Sequence, residues 1–264
     1  MLAPLVRTRM IAPIIAAVFL SACSITGDRQ AFSGARNETL SLAQAAASSG
    51  SHAKGAELFE KVLLSDPDNI DALQGAGLSY SHLGQNRRAE SVLNRAAELQ
   101  PRNIDIRNAL GRVHLALGEK DLALEDFSKS LRLDGRNVSA LTGKAVALDS
   151  MSRHSDAQEV YSLALNYYPT NFILRSNFAL SLSISGQPEK GIPMLQELVR
   201  DPSASEIARG NLALAYGIAG RDADARTTLM LDMKPEQVSE NLRVYSSIRG
   251  MILRGVPVGA LVFG

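Results

Sequence analysis

The sequence predicts an all-α fold, a solenoid of about six helix-turn-helix units closed by a C-terminal capping helix. Gly50, Gly84, Gly118, Gly186 and Gly220 fall on one 34-residue lattice, broken only by Ser152. Gly55, Ala89, Ala123, Ala157, Gly191 and Ala225 hold a second lattice without a miss. Phe59, Leu93, Phe127, Tyr161, Leu195 and Leu229 form a third that is always large and apolar. Composition agrees with helices. The chain is 45% hydrophobic but only 5% aromatic, with no Trp, and Ala, Leu and Ser dominate, which favours close helix packing over sheets.

The N-terminus reads as an export signal. Arg7 and Arg9 precede an apolar run over residues 10–20, and no acidic residue appears before Asp28. That run is short of the roughly 20 apolar residues that span a bilayer. It ends in Leu20-Ser21-Ala22-Cys23, around the single cysteine of the chain. This segment resembles the lipobox of bacterial lipoproteins. The resemblance implies a signal peptide over 1–22, acylation of Cys23 and cleavage before it. More than one acyl chain is needed for stable anchoring, because a single chain binds membranes only marginally. A buried structural thiol and an ordinary cleaved signal are the competing readings. Ser24, not Asp, follows the cysteine, and by the lipoprotein sorting rule this implies the outer membrane, with the folded body facing the periplasm. Residues 23–35, with Gly27, Ser33, Gly34 and no clear period, are expected to be a flexible tether.

Residues 36–235 carry the six repeats. Each column of the lattice has a physical reading. Gly at the end of the first helix supplies a left-handed C-cap for the sharp turn. The Gly/Ala column of the second helix lets the first approach closely, where a larger side chain would overpack by about 1–3 kcal/mol. The Phe/Leu/Tyr column fills the space one turn on. Pro67, Pro101 and Pro169 share a fourth column, replaced by Gly135 and Ser203, and stop the second helix. In the second unit all of these occur together, with Leu73, Ala76-Gly77, Tyr80, Gly84, Ala89, Leu93, Ala96 and Pro101.

This pattern resembles the tetratricopeptide repeat, which implies a right-handed superhelical solenoid. The aromatic usual near the start of the first helix is replaced by Leu73, Arg107, Leu141, Arg175 and Arg209, suggesting looser repeats. Pro202 arrives one position early and marks the expected irregularity. Residues 236–250 form one more amphipathic helix, with Val238, Leu242, Tyr245 and Ile248 on one side, suited to capping the last exposed face. The apolar tail 251–264 either docks on the solenoid end or donates a strand to a partner sheet.

Catalysis is not expected. His52, His82, His114 and His154 lack a second ligand at i+3 or i+4, so no helical metal site is written in the sequence and no metal or cofactor is expected. No nucleophile elbow, phosphate-cradling loop or dinucleotide fingerprint occurs, and no small-molecule substrate is implied. The formal charge of +1 carries no basic run, so nucleic acid is not an expected partner. Loss of Arg7 and Arg9 leaves 26 basic against 27 acidic residues.

The expected partners are proteins. By the geometry that the resemblance implies, the first helices line a concave groove. Its C-terminal part is apolar, with Leu180, Ile184, Leu214 and Ile218, and with Asn177 and Asn211 placed to bond a peptide backbone. The isoleucines equally suit packing of repeat on repeat or against the C-terminal helix. The Lys/Asn pattern of carboxylate-binding repeats is absent. Residues 209–221 (RGNLALAYGIAGR) and 232–238 (DMKPEQV), then Asn241-Leu242, resemble the TadD lipoproteins of the tight-adherence (Flp) pilus assembly system. That resemblance implies a pilotin-like helper of a secretin-type outer-membrane pore. A scaffold for envelope-maintenance enzymes or outer-membrane assembly, and a regulatory subunit of an envelope enzyme, are the other readings.

Overall fold

The computed structural model describes residues 25–200 and 206–263, and among them there is no strand. Six helix pairs follow one another. They are α1 (Ile25–Ser48) with α2 (His52–Ser65), α3 (Ile70–His82) with α4 (Asn86–Leu99), and α5 (Ile104–Ala116) with α6 (Lys120–Leu133). Then come α7 (Val138–Ser150) with α8 (His154–Tyr167), α9 (Phe172–Ile184) with α10 (Pro188–Leu198), and α11 (Glu206–Ile218) with α12 (Asp222–Leu229). The chain ends with α13 (Pro235–Leu253) and the short α14 (Gly259–Phe263). Cys23, expected to be acylated, and Pro202 lie outside the described residues.

The lattices become contacts. Gly50, Gly84, Gly118, Gly186 and Gly220 all have positive φ, between 70° and 85°, and end the first helices. Ser152 occupies the same station with φ 61° and is the one non-glycine residue with positive φ among those described. The large apolar column is buried throughout, from Phe59 to Leu229. The small column is equally closed. A Cβ on Gly191 would stand 2.3 Å from the carbonyl oxygen of Ala179, so this helix pair closes only on glycine.

A further 34-residue column emerges at the other end of the first helices. Asn69, Asn103, Asn137 and Asn171 are the N-caps of α3, α5, α7 and α9, and each side chain accepts a backbone N–H from the first turn. Caps of this kind contribute about 1 kcal/mol each. The positions lacking the usual aromatic are filled in two ways. Leu73 and Leu141 are buried. The arginines instead tie the first helix to an acid downstream, Arg107 to Asp126 at 3.5 Å, Arg175 to Glu197 at 2.6 Å and Arg209 to Asp232 at 2.5 Å.

Two differences from the sequence reading concern the ends. The stretch 23–35, expected as a tether, is helical from Ile25 onward, continuous with the rest of α1. It holds no proline, and extending a nucleated helix costs far less than starting one. The tail past 251 is also helical in part, since Gly255, at φ 69°, turns the chain and α14 packs on α7. Helix α13 contacts α11 and α12, and its Val238, Tyr245 and Ile248 are buried.

Candidate functional site

The first helices of successive pairs touch one another, α3 with α5, α5 with α7, α7 with α9 and α9 with α11, while successive second helices meet more weakly. The face lined by the first helices is therefore the inner, concave one. The expected groove residues lie on it, but not in the open. Ile184 and Ile218 are buried in a cluster with Ile248 of α13 and Val258 of the tail. Leu180 is buried as well, and Leu214 is partly buried against the same cluster. Asn211 spends its amide on Ser176 Oγ at 2.9 Å, bridging α11 to α9, and Asn177 is half-buried. The chain's own C-terminus thus covers the part of the groove that periodicity singled out.

The tail reaches across by close backbone approach. A Cβ on Gly259 would stand 1.8 Å from the Asp149 carbonyl oxygen, so only glycine fits at the end of α7. Asp149 itself is fully buried, accepting from Ser181 Oγ at 2.8 Å and facing His154 Nδ1 at 2.8 Å. Burial pushes its carboxyl above the ordinary aspartate value, against the pull of those two partners.

The groove remains open one to two repeats earlier. Arg112, Leu115, Val138, Ser139, Thr142, Gly143, Val146, Asn171 and Ile173 line a mostly apolar trough of about 370 Å³. Arg112, Ser139, Val146 and Ile173 all lie on first helices, which the repeat resemblance places along the groove, so this trough was legible in principle. The C-terminal stations are richer in isoleucine, but Ile184 and Ile218 there are covered. Ile173 and, further along, Ile207 remain well exposed. Arg112 stands at the rim, with Ser139 Oγ at 3.4 Å and no carboxylate within ion-pair distance among the described residues. Partial desolvation by the trough lowers its pKa, and Asp105 pulls the other way. The trough can therefore accept an apolar side chain beside a carboxylate.

The segments 209–221 and 232–238 lie at the far end. Arg209 Nε and Nη2 donate to Asp232 at 2.5 and 2.7 Å, joining 209–221 to 232–238. The backbone N–H of Lys234 donates to Gln237 Oε1 and fixes the start of α13.

None of the histidines has a ligand neighbour along its own helix, but tertiary packing assembles what spacing did not. His52 and His82 stack with centroids 4.1 Å apart. His114 from α5, Glu119 from the following turn and Glu90 from α4 bring ligand atoms within 4.8 Å of one another. The expectation rested on spacing along a helix, whereas this set is gathered from two helices and a turn. Among the described residues no helix is long and apolar enough to cross a membrane.

Tetratricopeptide-repeat family models match residues 46–113 and 108–172. A tetratricopeptide repeat protein from Parabacteroides merdae ATCC 43184 superposes with a TM-score of 0.69 at 15% identity, over 80% of this chain and 84% of that one. This chain is a tetratricopeptide-repeat solenoid. Repeats of this kind are typically non-catalytic scaffolds for protein interaction. Among curated proteins the chain is similar to the uncharacterized protein y4yS of Sinorhizobium fredii, 35% identical over 101 residues, or 38% of this chain and 56% of that one. It is also similar to the type IV pilus assembly protein PilF of Pseudomonas aeruginosa, 32% identical over 89 residues, or 34% and 35% of the two chains. The matched stretches thus span about half of the first relative and a third of the second.

Proposed function

We propose that this protein is a non-catalytic docking platform, anchored to the outer membrane through Cys23, that assists assembly of a pilus secretion system of the tight-adherence type. The observation that carries the reading is the open trough between α5, α7 and α9. It is preformed, mostly apolar, and edged by an arginine that makes no ion-pair contact among the described residues, as a site for a partner segment with an apolar anchor and a carboxylate would be. The similarity to a type IV pilus assembly protein and the TadD-like segments support the pilus as the setting, with a secretin-type pore as the partner.

The trough is tested by Val146→Glu in cells that build the pilus. Val146 is half-buried on α7 and lines the trough, so an acid there disfavours an apolar guest while helicity is retained. Secretin multimers and surface pili are expected to fall at least tenfold, with the protein still abundant and membrane-bound. Wild-type levels would remove the trough from the mechanism.

The anchor is tested separately. Cys23→Ser is expected to move the protein from the outer-membrane fraction to the soluble periplasmic fraction and to abolish incorporation of labelled palmitate. Unchanged sedimentation with outer membranes would exclude lipid anchoring at this residue.

A further inference from the structure

The densest cluster of ionisable side chains away from the trough lies where the second and third repeats meet. His114 on α5 is buried, at 6% exposure. Its Nδ1 bonds Asp126 Oδ2 at 2.9 Å, and Asp126 is buried too. That contact fixes the ring and leaves Nε2 directed at Glu90 Oε1, 3.7 Å away and too far for a hydrogen bond. Glu119 stands on the other side of the same space, and its Oε2 is buried with no hydrogen-bond partner. We infer that Glu90, His114 and Glu119 form a binding site for a divalent first-row transition metal, zinc being the representative ion.

Three features point to a cation of that class. The first is the orientation of the imidazole. Metal-ligating histidines hold the other ring nitrogen on a carboxylate, which sets the tautomer and raises ligand basicity, and Asp126 stands in that position. The second is spacing. Metal–ligand bonds of about 2.0–2.2 Å place ligand atoms roughly 3.3–4.4 Å apart. The three candidate atoms lie within 4.8 Å of one another, so small rotations of the two glutamates close the set. The third is the orphaned Glu119 oxygen, a desolvated lone pair that a cation would satisfy. One imidazole and two carboxylates suit zinc or its neighbours, whereas magnesium and calcium favour an all-oxygen shell. Water would complete the coordination.

Arg87 is the competitor. Its Nη1 stands 3.0 Å from Glu90 Oε2 and 2.8 Å from Glu119 Oε1, and it supplies the positive charge between the two glutamates. The side chain is two-thirds exposed, so it can swing into solvent when an ion enters. The bound ion would link α4 to α5 and to the turn before α6, pinning one repeat to the next.

Zinc binding to the untagged, full-length chain, followed by titration calorimetry at pH 7.5, tests the site. One equivalent is expected to bind, with magnesium giving no heat. His114→Ala and Glu119→Gln should each weaken zinc by at least tenfold, and Glu119→Gln keeps the volume of the side chain so that the fold is preserved. Arg87→Ala should tighten zinc severalfold, a gain that a purely structural ion-pair network would not produce. His52→Ala, which breaks the stacked His52–His82 pair, should leave the affinity unchanged. Three results would overturn the site. They are absence of zinc binding by the wild type, equal affinity in His114→Ala and Glu119→Gln, and loss of binding in His52→Ala.

Discussion

Replacing Ile218 with Glu is expected to destabilise the C-terminal third of the solenoid by about 3–5 kcal/mol, and to free the tail. Ile218 is 6% exposed among Ile184, Ile248 and Val258. Glutamate at that site loses the apolar transfer energy of the isoleucine. It also buries a carboxylate among apolar side chains. The relief available is for α13 and α14 to lift away, because a repeat array opens from its ends more easily than from its middle. Urea denaturation followed by far-UV circular dichroism would read the loss, and limited proteolysis between Gly255 and Gly259 would read the release. A variant within 0.5 kcal/mol of wild type and equally resistant to protease would show that the tail is not seated on these residues. Had Ile218 faced an open groove, the same substitution would have impaired partner binding alone.

The second large effect is expected at the centre. Phe127→Ala should cost about 3–5 kcal/mol, because a fully buried ring leaves a cavity that two rigid helices cannot close. The ring stands between two glycines. A Cβ on Gly111 would lie 2.7 Å from it and one on Gly143 2.3 Å, so α5 and α7 both pack directly on its edges. Phe127 therefore couples the third and fourth repeats. Its loss should weaken their interface more than either repeat itself, and split one urea transition into two, with the N-terminal core cluster and the C-terminal cluster melting apart. The complementary change, Gly143→Ala, should cost about 1–3 kcal/mol by overpacking the same contact. A single transition at the wild-type midpoint in Phe127→Ala would contradict this account.

The repeats were readable from sequence in unusual detail because their contacts recur at a fixed separation. Gly84, Ala89 and Leu93 mean the same thing as Gly118, Ala123 and Phe127, and six copies make each column visible. The Asn69, Asn103, Asn137 and Asn171 caps are equally periodic but hard to single out, since a polar residue before a helix resembles ordinary loop composition. The arginine stations at 107, 175 and 209 were read as weakened packing. In the folded chain each holds an acid on a neighbouring element, a pairing at variable separation that no lattice displays.

The candidate site was legible only in outline. Concave stations could be assigned from the repeat, and Val146 and Ile173 do line a trough. Which stations stay open depends on the tail, and the tail has no repeat partner to announce where it goes. An apolar stretch with Gly259 in it is compatible with several destinations, and only the fit against the Asp149 carbonyl selects one.

The sequence by itself determined the helices, their phase, the turns and the identity of the buried columns. Those features are set by local conformation and by contacts between neighbouring units, both encoded at a constant spacing. Tertiary structure alone decided that Ile184 and Ile218 are covered, that the open trough lies one to two repeats earlier, and that Glu90, His114 and Glu119 converge. Those arrangements join residues at unrelated separations, and their geometry is fixed by the curvature summed over several repeats, which no single stretch of chain carries.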